Sequence, residues 1–271
     1  MNEVKEMKIF LSADIEGTTG ITLWDETENG HARYPYFQNQ MTKEVNAACL
    51  GAMEGGCNEI LVKDAHDSAC NIIPEMLPEE VRIFRGWGTD IMSMMAGLEK
   101  GYDGVIFTGY HSAAGMNTNP LAHTMNTRNN YVKINGIICP ELMLNSLTAS
   151  YLGVPVRLVT GDKGLCDWMK EMNPNIETVA VSEGCGRGSI SIHPKKALRL
   201  IQEAAKRAMA KPAKDCIFPL PEHFEVEISF KDHFKAKAAA AYPGVIQIGP
   251  AAIKYVADDY MEVLRMINFV L

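Results

Sequence analysis

Through its first two thirds this chain alternates short apolar runs with stretches whose apolar residues recur at helical spacing, a rhythm few folds accommodate. Lys8 to Asp14 is strand-like. Asn39 to Met53 carries Met41, Val45, Ala48, Leu50 and Met53 at helical intervals before a Gly55-Gly56 stop. Glu59 to Asp64, Val81 to Phe84 and Gly104 to Thr108 read as further strands, with a helix expected over Ile91 to Leu98. Asn135-Gly136 marks the turn of a short hairpin over Tyr131 to Ile138, and Pro140 stands where a helix from Glu141 to Leu152 begins. Val154 to Thr160 and Thr178 to Ser182 are strands; Gly164 to Met172 and Lys195 to Met209 are helices. Such βα repetition implies an α/β fold whose largely parallel sheet is flanked by helices. Three prolines between Lys211 and Pro221 then mark a boundary, giving one domain over residues 1–212 and a smaller C-terminal α+β subdomain over 213–271. The latter has a strand at Glu225 to Phe230 and helices at Phe234 to Ala241 and Asp258 to Phe269.

A chain of 271 residues, 47% apolar and 22% charged, can bury a large core without covalent staples. Its net charge of -7 and pI near 5.5 weigh against a nucleic-acid partner, which requires clustered Lys and Arg. No apolar run approaches the roughly 20 residues that span a bilayer, so no membrane partner is expected. The opening residues, MNEVKEMK, are too acidic and polar for a secretory leader, and a cytoplasmic enzyme is the default reading. The seven cysteines contain no Cys-x-x-Cys pair and read as reduced thiols; Cys139, just before Pro140-Glu141, is the one weighed as a nucleophile.

Acidic and imidazole side chains recur at the carboxyl ends of the expected strands, the edge at which open α/β sheets bind ligands. Asp14 and Glu16 end the first strand, His66 follows the second and His111 the fourth. Mixed oxygen and nitrogen donors suit zinc or a similar divalent ion, and a carboxylate between two ions can bridge them. Glu141, at a helix start, is a candidate fifth ligand. His123 lies twelve residues after His111 in a Gly-, Asn- and Pro-containing loop able to fold over the same edge, which makes it a candidate acid, base or transition-state donor. Taken singly, each residue has an ordinary structural reading as a turn cap, a solvated imidazole or a helix-start charge. His31, His193, His223 and His233 carry weaker signals, His193 reading as part of a helix entry. The chain has no His-Glu-x-x-His helix, Gly-x-Ser-x-Gly elbow or Walker loop. The stretch Gly184 to Ser189 fails the dinucleotide spacing and reads as a turn ending in a helix-capping serine.

In order, Ser12-Ala13-Asp14-Ile15-Glu16-Gly17, Val62-Lys63-Asp64-Ala65-His66, Gly109-Tyr110-His111, Ala122-His123-Thr124-Met125, Ile134-Asn135-Gly136 and Glu141 resemble the D-aminopeptidase family of bacterial dinuclear zinc metallopeptidases. The likeness is detailed over most of residues 7–165. It implies two zinc ions per chain bridged by Asp14, with Glu16, His66, His111 and Glu141 completing their shells and His123 as the catalytic histidine. It also implies self-association, a ring-like decamer in the family, with the sites reached through an internal chamber.

The function expected is therefore a zinc-dependent aminopeptidase that removes N-terminal residues, D-residues being one candidate class, from short peptides or amino-acid amides. In the working mechanism a protonated His123 stabilises the oxyanion. The loops around His123 are more polar than in a D-alanine-releasing relative, which leaves substrate chirality open. Asp162, ending the strand before Lys163, is weighed as a substrate-ammonium contact against a helix cap. The alternatives are a dinuclear amidase or phosphoesterase, or a non-catalytic self-assembling binding protein.

Overall fold

A computed structural model describes residues 6–271; residues 1–5, part of the stretch read as too polar for a leader, lie outside the described residues. In chain order the elements are β1 (Met7–Ala13), α1 (Tyr34–Glu54), β2 (Cys57–Asp64), β3 (Val81–Phe84), β4 (Gly104–Tyr110), β5 (Asn129–Ile134), β6 (Ile137–Ile138), α2 (Glu141–Tyr151) and β7 (Val156–Asp162). There follow α3 (Lys163–Met172), β8 (Glu177–Cys185), β9 (Gly188–Ser191), α4 (Pro194–Ala210), β10 (Phe224–Phe230), α5 (His233–Ala239), β11 (Ile246–Gly249), β12 (Ala252–Ala257) and α6 (Tyr260–Val270).

Seven strands form one sheet in the order β3-β2-β1-β4-β7-β8-β9, parallel except for the antiparallel β8–β9 pair at its edge. Strand alternation sorts its side chains onto two faces. Ile9, Leu11, Ile106 and Leu158 pack into one core beneath α1 and α4, while Phe10, Phe107 and Val159 enter a second core with α2, α6 and another sheet. The chain order runs outward from β1 to β3, then reverses so that β4 pairs with β1 on its other side. The β1/β4 boundary is thus the topological switch point, where α/β sheets open a crevice.

The second sheet, ordered β11-β12-β10-β5-β6, joins the C-terminal strands to the mid-chain hairpin through antiparallel pairing of β10 with β5. Two expectations are corrected here. Ile91 to Leu98 is not a helix, because only Ser93–Met95 forms a single 3-10 turn; Ser93 and Gly97 both adopt positive φ, which interrupts helix propagation. Met94 and Met95 bury their side chains from this loop instead. Ser189 does not cap a helix either. It lies in β9, a hairpin strand after β8, and its hydroxyl contacts Thr22 Oγ1 at 2.7 Å. Among the described residues no helix is long and apolar enough to cross a membrane.

Candidate metal centre

The carboxyl ends of β1, β2 and β4, together with the start of α2, deliver the five nominated ligands to one buried cluster. Asp14 and Glu16 follow β1 in a turn pressed against the end of β4. A Cβ on Gly17 would stand 1.8 Å from the Tyr110 carbonyl oxygen, and one on Gly109, at φ +69°, 2.1 Å from that of Asp14. Only glycine permits this approach. Asp14, Glu16 and His111 are thereby held as one unit, tied by hydrogen bonds from Asp14 N to Thr108 O and from Gly17 N to Gly109 O, both 2.8 Å.

Asp14 faces two imidazoles with its two oxygens. His66 Nδ1 lies 3.3 Å from Oδ1 and 3.2 Å from Glu16 Oε2. His111 Nε2 lies 3.5 Å from Asp14 Oδ2 and 3.7 Å from Glu141 Oε1. His123 Nε2 also stands 3.7 Å from Glu141 Oε1. Three overlapping donor sets result: Asp14, Glu16 and His66; Asp14, His111 and Glu141; and Glu16, His111 and His123, each with its ligand atoms within 4.8 Å of one another.

Each imidazole is oriented by a main-chain carbonyl on its outer side. His66 Nε2 is 2.9 Å from Thr27 O, His111 Nδ1 2.9 Å from Ser112 O, and His123 Nδ1 2.8 Å from Leu121 O. A carbonyl can only accept, so the ring nitrogen there carries the hydrogen and the neutral ring offers its other lone pair inward. That is the arrangement metal-ligating histidines adopt. Asp14 Oδ2, Glu16 Oε2 and His111 Nε2 are buried without a hydrogen-bond partner. Orphaned polar atoms of this kind are costly, and a bound cation would satisfy them together. The residues fit a divalent metal.

Charge and burial compete in the cluster. Burial, reinforced by the Glu16 charge, pushes the Asp14 carboxyl up to about 7. For Glu16 burial acts in the same upward sense, but His66 outweighs it and holds the carboxyl well below the usual range. His111 rises to about 9 because Glu141, Glu16 and Asp14 overcome the opposing effect of burial, and His66 is raised for the corresponding reason. His123 is the exception: burial and then the neighbouring His111 charge lower it, which favours the neutral ring. The protonated His123 of the expected mechanism runs against this direction in the metal-free site.

Other residues nominated from sequence resolve as structural. Asp162 is fully buried and caps α3 by accepting from Leu165 N, while also accepting from Ser112 N at 2.7 Å, Ser112 Oγ at 2.6 Å and Asn119 Nδ2 at 3.2 Å. It has no free face for a substrate ammonium. Cys139 is buried in the core and burial pushes its thiol up, so it is no nucleophile. His193 caps α4, and His31, His223 and His233 lie at the surface.

A cavity of roughly 410 Å³ opens over the cluster, walled by Trp24, Trp87, Met125 and Ser93 and rimmed by Glu28 and Asp67. Sequence reasoning missed these walls. The available signal was scarcity: of three tryptophans, two, Trp24 and Trp87, stand in glycine-containing loops after strand ends. Trp24 meets the His123 ring edge-on at 5.2 Å.

Comparison with known proteins bears on what this site does. A family model described as D-aminopeptidase matches residues 7–269. The D-aminopeptidase of Bacillus subtilis (strain 168) is 32% identical over 260 residues, covering 94% of this chain and 93% of that protein. Among solved structures, the zinc-dependent D-aminopeptidase DppA from Bacillus subtilis, described as a self-compartmentalizing protease, superposes with a TM-score of 0.90 at 30% identity, covering 97% of this chain and 96% of that one.

Proposed function

This chain belongs to the D-aminopeptidase family, and from that premise we propose that it is a zinc-dependent aminopeptidase acting on short peptides or amino-acid amides, with D-residues among its substrates. The observation that carries the reading is the convergence of Asp14, Glu16, His66, His111 and Glu141 into overlapping donor sets with three orphaned ligand atoms. Asp14 belongs to two of these sets, one oxygen directed to each, which suits it to bridge two ions, with the other four residues completing their shells. Two divalent ions in these sets would polarise the scissile carbonyl and lower the pKa of a water.

The chain's own residues supply the rest. Burial keeps bulk water from competing, and the carbonyl-locked tautomers keep the imidazole lone pairs aimed inward without reorganisation. His123 begins neutral, with Nε2 free to accept the proton that water sheds as its oxygen attacks the carbonyl carbon. The same Nε2 then returns the proton to the amide nitrogen as the C–N bond breaks. Met125 N donates to Glu141 Oε1 at 2.6 Å and fixes that carboxylate beside His123.

Self-assembly is part of the proposal. After residue 230 the chain leaves Phe234, Ile246, Ile248, Val256 and Phe269 exposed, large apolar side chains whose number supports burial against further copies, the expected product being a decamer. Sedimentation at several concentrations tests this, and a monomer throughout would refute it. For the activity, the test is metal analysis after mild dialysis, paired with a panel of D- and L-aminoacyl amides, dipeptides and an aryl phosphate. About two zinc equivalents and aminoacyl turnover are expected. Phosphate-ester turnover alone, or a metal-free protein with full activity, would overturn the reading.

A further inference from the structure

Beside the main cavity lies a second one of roughly 200 Å³, and the two share two walls, Ser93 and Met125. Its remaining lining is chiefly Ile91, Met92, Leu144, Leu264 and Ile267. Three of the polar side chains that reach it, Asn126, Arg128 and Asn145, are already engaged, and Ser93 and the exposed Asn268 complete the polar part of the lining. Asn145 Nδ2 donates to Tyr110 Oη at 2.9 Å, and Asn126 Nδ2 to Leu271 O at 2.9 Å, with Arg128 Nη2 on that same carbonyl at 3.3 Å. The surface open to a ligand is chiefly apolar. An aliphatic cavity of about 150 Å³ takes a benzene ring, so this one has room for a branched aliphatic or phenyl side chain.

Both shared walls are strained. Ser93 has φ +49° and Met125 φ +63°, a region that side-chain-bearing residues enter only when their surroundings demand it. Such strain concentrates where ligands are held. At Met125 the demand is visible: its N–H in this conformation reaches Glu141 Oε1, so one residue both orients a candidate metal ligand and forms the partition between the cavities. A group entering the side cavity therefore packs against the residue that positions the chemistry.

We infer that the side cavity is a subsite for one apolar side chain of the substrate, with Leu264 and Ile267 at its floor and Met125 as the partition from the scissile bond. The inference rests on the peptidase reading and adds to it a substrate class: peptides carrying a leucine- or phenylalanine-sized side chain next to the bond cleaved. Lined by side chains from α2 and α6, the subsite joins the second core to the catalytic crevice.

The experiment narrows the cavity with Leu264→Trp and widens it with Leu264→Ala in the zinc-loaded full chain. Two peptide series, of either chirality, vary the residue before and the residue after the scissile bond among alanine, leucine and phenylalanine. In one series the wild type should prefer the larger residues. Leu264→Trp should cut the leucine-to-alanine ratio of kcat/KM about tenfold or more, the usual cost of denying an apolar group its pocket, and Leu264→Ala should move preference toward phenylalanine. In parallel, protein labelled at methionine methyls is titrated with toluene. The Met92 and Met125 methyl resonances should shift in the wild type and not in Leu264→Trp. Ratios unchanged in both series, or no methyl shift, overturn the subsite while leaving the peptidase intact. A wild type that cleaves no peptide overturns the peptidase reading and the subsite with it.

Discussion

The rings of His111 and His123 stack face to face, with centroids 4.2 Å apart and planes 11° from parallel. One ring is drawn toward the charged form by three carboxylates, the other toward the neutral form by burial and by its partner. The carboxylates that favour a proton on His111 would equally favour a metal cation in that proton's place, while the neutral His123 keeps a lone pair with which to carry protons.

His123→Ala should therefore lower kcat by a factor of about 10² to 10⁴, the usual worth of a positioned acid–base group, while zinc content stays at the wild-type level. Steady-state kinetics beside elemental analysis decides it. Loss of metal in this variant would make His123 a ligand instead.

Asp14 enters two donor sets and Glu141 one. Asp14→Ala should lose both zinc equivalents, whereas Glu141→Ala should keep about one, read by elemental analysis after dialysis. An Asp14→Ala protein that retains a full equivalent would contradict the bridging role.

Raised pKa values make the metal-free protein sensitive to alkali. The stability His111 contributes is present below its ordinary 6.5 and is lost as pH rises through about 9; that of Asp14 is present below 3.8 and lost through about 7. Glu16, lowered, contributes in the opposite direction, above 4.5. The melting temperature of the chelated protein should fall between pH 6 and 9, and zinc should abolish that fall while releasing protons on binding. Calorimetry in buffers of different ionisation enthalpy checks both; a flat profile without zinc would argue against the coupling described.

Removing Asp162 leaves Ser112 N and the α3 amide of Leu165 without their side-chain acceptor and takes one of two partners from Ser112 Oγ and from Asn119 Nδ2, which keep Thr118 Oγ1 and Glu16 O. Asp162→Ala should cost about 2–4 kcal/mol in urea unfolding and should weaken zinc retention, because Ser112 is the residue whose carbonyl orients His111. Wild-type stability in this variant would show the network to be dispensable.

The half of the site carried by β1, β2 and β4 was legible because each strand is a short apolar run that stops at an acid or imidazole, and the parallel rule brings those ends to one edge. Glu141 was legible from Pro140 marking the helix start. The second sheet was not, since Ile228 pairs with Val132 from far along the chain and no local periodicity records a partner. The 91–98 loop misled because Met94, Met95 and Leu98 are buried at helix-like spacing while Ser93 and Gly97 hold the backbone in turns. The β8–β9 hairpin was hidden for a related reason, a glycine-rich turn resembling a loop before a helix.

The carbonyl groups of Thr27, Ser112 and Leu121 that set the three imidazole tautomers belong to the main chain. No single side-chain exchange at those positions deletes the acceptor, so the proton arrangement of the site tolerates sequence drift in its outer layer. Divergence among relatives can then proceed through the walls of the crevice, altering what is admitted while the chemistry beneath stays in register.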